Sequence, residues 1–166
     1  MATIDTQLTK IWVIPAPATD FADCAAAGTA LLGGKEVQCT QSIADIVRTR
    51  EVKESTCINK DEVKVSLGAI KYDALEVGMF FDPSDVEGQK LIKDAMESGD
   101  MLTIGIELSD RDTVIGTTGV QGSLFWFNVK VSGDSILLPN DELVGYSATL
   151  NIDGSLHECP AIAGAA

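Results

Sequence analysis

The sequence predicts a mainly β, α+β domain: an antiparallel β-sandwich or β-barrel with one helix, at about residues 84–98, packed against it. Leu75, Val77, Met79 and Phe81 share one parity, as do Leu102, Ile104, Ile106 and Leu108, which is the period of half-buried strands. Between them Leu91, Ile92, Ala95 and Met96 recur at helical spacing. Phe125, Phe127, Val129 and Val131, and then Val144, Tyr146, Ala148, Leu150 and Ile152, return to the two-residue period. One short helix therefore covers a sheet whose second face is small and polar, a normal arrangement for an antiparallel sheet in water.

In chain order, Leu8 to Pro15 reads as a first strand, with Ile11, Trp12 and Val13 halted by Pro15. Residues 15–34 are rich in Ala, Gly, Pro and Thr without a strict period, and read as an irregular loop with one helical turn near Asp20 to Ala27. Lys35 to Thr40 and Ile43 to Glu54 are strand-like. The second carries Arg48, Arg50, Glu51, Lys53 and Glu54, so many charges that it predicts a solvated face. Asn59-Lys60-Asp61-Glu62 is a hydrophilic turn former, which makes Ser55 to Val65 a long hairpin connection. Ser84 is positioned to cap the helix with Glu87 returning a bond to the cap, and Gly99 to end it in a left-handed C-cap. Ser132-Gly133-Asp134 and Pro139-Asn140-Asp141 mark turns, and residues 161–166 a flexible tail.

At 166 residues the chain fits a single domain, 1–166, able to bury a core without disulfides or metals. No apolar run approaches the ~20 residues of a membrane-spanning helix, which predicts a soluble chain with no membrane partner. The N-terminus lacks the basic and apolar regions of a secretory signal, so Cys24, Cys39, Cys57 and Cys159 are expected to be free thiols. The net charge is −13, with 25 acidic residues against 12 basic ones. Proteins that grip duplex DNA do so by neutralising phosphates with Lys and Arg, so this composition excludes a DNA clamp. Its simplest consequence is solubility.

Catalytic and metal chemistry finds little support. His157-Glu158-Cys159 would need a distant ligand to hold a metal, and no Cys-x-x-Cys or His-x-x-x-His spacing supplies one. Cys57 or Cys159 could meet His157 in space as a nucleophile, but no local signature supports this. The glycine-rich Gly116 to Gly122 lacks the Gly-Lys-Ser/Thr of a phosphate loop and reads as a hairpin turn. Asp110/Asp112 and Asp61/Glu62 lack a calcium-loop pattern and read as solvated turn residues. No enzyme, cofactor or metal is predicted.

The order of elements narrows the function. Thr49-Arg50-Glu51-Val52-Lys53-Glu54-Ser55-Thr56-Cys57 is followed by Gly68-Ala69-Ile70-Lys71-Tyr72, then the strand to Phe81. Next come Asp82-Pro83-Ser84-Asp85-Val86-Glu87-Gly88-Gln89 and Gly99-Asp100 before the next strand. This profile, over residues 43–154 and strongest from Thr56 to Leu108, resembles the major tail tube protein of long-tailed bacteriophages. The resemblance implies a tail-tube-type fold and a virion structural protein, made in the host bacterial cytoplasm. Copies would form hexameric rings that stack into a hollow tube, with other tail proteins at the tube ends. Double-stranded DNA would pass through this acidic conduit without specific binding. By the same resemblance residues 55–70 form a hairpin arm reaching the adjoining ring, with Cys57, Asn59, Lys60, Asp61 and Glu62 as ring-stacking residues. Two alternatives stand beside it: the tube component of a type VI secretion-like machine, which shares this kind of fold, and a small ligand-binding β-barrel with Trp12, Trp126 and Tyr146 lining a pocket.

Overall fold

A computed structural model describes residues 9–17, 24–56, 58, 61–110 and 122–161. Its strands are β1 (Lys10–Ile14), β2 (Lys35–Glu36), β3 (Thr40–Ile43), β4 (Arg48–Thr56), β5 (Val63–Tyr72), β6 (Leu75–Phe80), β7 (Met101–Glu107), β8 (Leu124–Leu137) and β9 (Gly145–Cys159). Its helices are α1 (Cys24–Leu32) and α2 (Gly88–Ser98). Seven strands make one curled antiparallel sheet in the order β2-β1-β7-β8-β9-β6-β3, while β4 and β5 pair separately as a hairpin. The fold is thus mainly antiparallel β, as the alternating segments predict. The anticipated turn at Gly116 to Gln121 lies outside the described residues, as do Asp112, residues 162–166 and the start of the helical turn expected at Asp20.

The main core lies between the sheet and α2. Val13, Leu75, Val77, Met79, Ile104, Phe127, Val129 and Leu150 are almost fully buried there, against Ile92 and Ala95 of the helix. Burying one such side chain contributes about 1.5–3 kcal/mol, which is why the parity of these residues dictates which face of each strand turns inward.

The opposite face is not all polar. Where an irregular loop was expected at 15–34, α1 lies across β1, β7 and β8, and its Ala27 and Leu31 pack with Leu124, Trp126 and Cys159. Trp126, on the parity opposite Phe125 and Phe127, is only 4% exposed. Gly105 makes room for this docking, since a Cβ there would come within 2.8 Å of the Leu31 side chain. Trp12 Nε1 donates to the buried Glu107 carboxylate at 3.0 Å on the same face.

The expectation of four free thiols is corrected by this helix. It carries Cys24 to the end of β9, where Cys24 and Cys159, 135 residues apart in sequence, form a disulfide with Cα atoms 5.5 Å apart. Cys39 is free and exposed, and Cys57 lies outside the described residues.

The start of α2 also differs from expectation. Pro83-Ser84 and Val86-Glu87 form turns, and the helix begins at Gly88. Ser84 does not cap it: the Ser84 hydroxyl and N–H both donate to Asp82 Oδ1. Asp85 does the work instead, its carboxylate accepting the N–H groups of Glu87, Gly88 and Gln89 at 2.7–3.1 Å and that of Gln38 at 3.2 Å. A carboxylate satisfies more free N–H groups than a hydroxyl and complements the positive helix end. Gly99 ends α2 as expected, at φ 76°, with its N–H donating to Ala95 O. Gln89 is buried yet fully used. Its amide nitrogen donates to Phe80 O (2.7 Å) and Gln38 O (3.2 Å), and its oxygen accepts from Asp82 N–H (3.1 Å).

Candidate functional site

Two features stand out from this body, and both are surfaces. The first is the β4–β5 hairpin. Thr56 pairs with Val63, Glu54 with Val65, Val52 with Leu67, Arg50 with Ile70 and Arg48 with Tyr72, with a register shift between Arg50 and Val52. Strand alternation therefore collects Val52, Val63, Val65, Leu67 and Ile70 on one face, together with Glu54 and Thr56 opposite Val65 and Val63, and with Arg48 and Arg50 near its base. Lys53, Lys64 and Lys71 lie on the other, where Lys71 approaches Glu51 at 4.0 Å.

Every residue of β4 is exposed, and so are Val63, Val65 and Leu67 at 57–60%. Beyond isolated contacts, neither strand packs on any other element. The hairpin is held at its base, where Leu156 N–H donates to the Tyr72 hydroxyl at 3.1 Å and Asp73 N–H to Val47 O at 3.0 Å. At ~3.3 Å per residue its ten-residue β5 spans about 30 Å.

Of the residues expected at its tip, Asp61 and Glu62 are exposed beside the turn, whereas Cys57, Asn59 and Lys60 lie outside the described residues. The resemblance implies an arm at 55–70; the paired strands themselves run over Arg48–Thr56 and Val63–Tyr72.

The second feature is an open groove of about 910 Å³ between β3, the end of β6 and the β8–β9 turn. Gln41, Phe80, Leu137, Leu138 and Leu143 line it, and Asp141 and Glu142 stand at its rim. Leu138 is 75% exposed and Leu143 69%. Sequence reading took this stretch only as a turn. The available signal was the unbroken Ile136-Leu137-Leu138 run before Pro139, which places apolar side chains on both faces of a strand end.

The alternative sites are not assembled. His157 stacks on Trp126, with ring centroids 3.9 Å apart, and Cys159 is in the disulfide. Among the described residues no three His, Cys, Asp or Glu side chains group as a metal site. Trp12 and Trp126 sit on the α1 face of the sheet, whereas Tyr146 is buried on the α2 face, so the three aromatics share no pocket. The Tyr146 hydroxyl donates to Asp134 at 3.2 Å, and burial together with the Asp134 charge pushes its pKa above the ordinary tyrosine value. No helix among the described residues is long and apolar enough to cross a membrane.

Comparison with known proteins gives the fold a context. The sequence matches no protein-family profile and no curated protein. Its structure is similar to a chain of the SPP1 tail tube, determined by solid-state NMR and cryo-EM, with a TM-score of 0.64 and 14% identity over 97% of this chain and 81% of that one. A chain from the six-fold symmetrised baseplate of the anti-feeding prophage gives a TM-score of 0.64 at 10% identity, covering 96% of this chain and 98% of the other. A chain from the tail of the empty gene transfer agent particle, refined in C6 symmetry, gives 0.55 at 11% identity, covering 90% and 92%. With the curled antiparallel sheet, the packed helix and the projecting hairpin all in place, this chain has the tail-tube fold.

Proposed function

We propose that this protein is a structural subunit of a bacteriophage tail tube, forming hexameric rings that stack into a hollow conduit for DNA. The observation that carries this reading is the match to the SPP1 tail tube chain over 97% of the sequence. Physical features agree with it. The seven-stranded sheet has two open edges, β2 and β3, which pairing with neighbours in a ring would cover. A net charge of −13 suits a wall along which DNA slides without adhering. In this reading the β4–β5 hairpin is the arm that links rings, with Cys57, Asn59, Lys60, Asp61 and Glu62 as its ring-stacking residues. The protein resides in the virion, is made in the host cytoplasm, meets other tail proteins at the tube ends and uses no catalytic residue.

Negative-stain electron microscopy of the concentrated protein, with light scattering on the same sample, tests the proposal. Six-fold rings or uniform hollow tubes are expected. A monodisperse monomer at every concentration and ionic strength would refute it.

A further inference from the structure

Among the described residues, the large apolar side chains that remain exposed fall almost entirely into two groups. Val47, Val52, Ile58, Val63, Val65, Leu67 and Ile70 belong to the hairpin and its base. Ile136, Leu137, Leu138 and Leu143 belong to the β8–β9 turn, and Val86 alone stands apart. One group is on a projecting element, and in the other Leu137, Leu138 and Leu143 line an open groove. Within a subunit they do not pack together, because β4 and β5 pack on each other and on no other element beyond isolated contacts.

Charge divides along the same boundary. Residues 48–72 hold six of the twelve Lys and Arg residues against four of the 25 carboxylates, so the hairpin is basic on an acidic body. Arg48, Arg50 and a single carboxylate, Glu54, share the apolar face of the hairpin, so that face carries one net positive charge; Asp141 and Glu142 border the groove, and none of these five forms an ion pair among the described residues. An exposed apolar strand face is a liability for a free chain, and an apolar groove with an acidic border is a surface of matching polarity and opposite charge.

We propose that the apolar face of the β4–β5 hairpin of one copy seats in the groove formed by Gln41, Phe80, Leu137, Leu138 and Leu143 of the next copy. Arg50 then faces Asp141 and Glu142 across the contact. The inference rests on the tube reading above and adds the receiving surface and its charge code. Arm and groove are different surfaces, so the contact is heterologous: each copy gives an arm to one neighbour and receives one from another, which propagates growth.

The test uses the full chain in two variants, V65D/L67D on the arm and L138D/L143D in the groove. All four positions are exposed, so both variants should keep the wild-type circular dichroism spectrum. Each alone should raise the critical concentration for tubes by at least about tenfold, since each replaces two apolar contacts with two carboxylates that must be desolvated, on the arm beside Glu54 and in the groove beside Asp141 and Glu142. Mixed together, one intact arm and one intact groove remain, so sedimentation should show complexes that contain both variants and stop growing. Charge reversal gives a milder second measurement: R50E should weaken assembly and R50E with E142R should restore it. Wild-type-like tubes from the groove variant, or no recovery on charge reversal, would overturn this inference while leaving the tube reading intact. A wild-type protein that forms no rings or tubes would overturn both.

Discussion

Gln89 is the polar residue on which the join between helix and sheet most depends. Replacing it with Leu keeps the volume close and removes three hydrogen bonds, leaving Phe80 O, Gln38 O and Asp82 N–H without this partner. A buried donor or acceptor left unsatisfied costs about 1–3 kcal/mol. Gln38 is exposed and both Asp82 and Phe80 are half-buried, so water can reach all three and the lower end applies to each. The sum is about 3 kcal/mol. For a chain of this size each kcal/mol moves the melting temperature by about 2–4 °C, giving a fall of roughly 6–12 °C. Urea unfolding of the unassembled protein followed by circular dichroism measures it directly, with an unchanged slope marking a pure stability effect. A change below about 0.5 kcal/mol would show that the Gln89 network contributes no net stability, and the account of the helix start would fail.

Two further outcomes follow from the same structure. The Cys24–Cys159 disulfide closes a loop of 135 residues, for which the chain-entropy relation gives about 5 kcal/mol as a ceiling. C24S/C159S should therefore unfold about 2–5 kcal/mol more easily than the oxidised protein, and reductant should lower wild-type stability but leave the variant unchanged; equal sensitivity of both to reductant would sink the pairing. Burial acts to raise the Asp110 carboxyl, but hydrogen bonds from the Ser123 hydroxyl and N–H prevail and hold it below its ordinary value of 3.8. A depressed carboxylate contributes stability that is complete above that value and is lost as pH falls through the lowered one. D110N should thus flatten the acid loss of melting temperature below about pH 4, whereas a wild-type-minus-variant difference constant from about pH 5 to 2 would contradict the assignment.

What the sequence reveals and conceals divides along a physical line. Strands with one buried face are legible because burial imposes a two-residue period, and Leu75, Val77, Met79, Leu102, Ile104 and Ile106 obey it. Gly99 is legible because a left-handed C-cap selects glycine. Helix α1 escapes notice because Cys24 to Leu32 is almost uniformly apolar, without a polar stripe to set a helical period. The burial of Trp126 follows from that helix and is hidden with it. The disulfide depends on two residues brought together only by the complete fold. At the helix start both Ser84 and Asp85 are good caps by type, and only the path of the turn decides that Asp85 faces the free N–H groups. For the candidate site, the charges of β4 reveal a solvated strand. Val63, Val65 and Leu67 alternate as a core strand would, and nothing local says that the surface they cover belongs to no other part of the subunit.

The bridge between α1 and β9 also changes what a break in the chain would mean. Strands β2 to β9 and α2 all lie between the two linked cysteines, inside a covalent ring, and among the described residues β1 is the one strand outside it. A single peptide-bond cut anywhere between Cys24 and Cys159, for instance beside the exposed Glu62, opens that ring into a line without releasing a fragment. A subunit closed in this way tolerates one nick inside the ring without shedding mass, while β1, held between β2 and β7 by hydrogen bonds and packing alone, stays as removable as any unlinked strand.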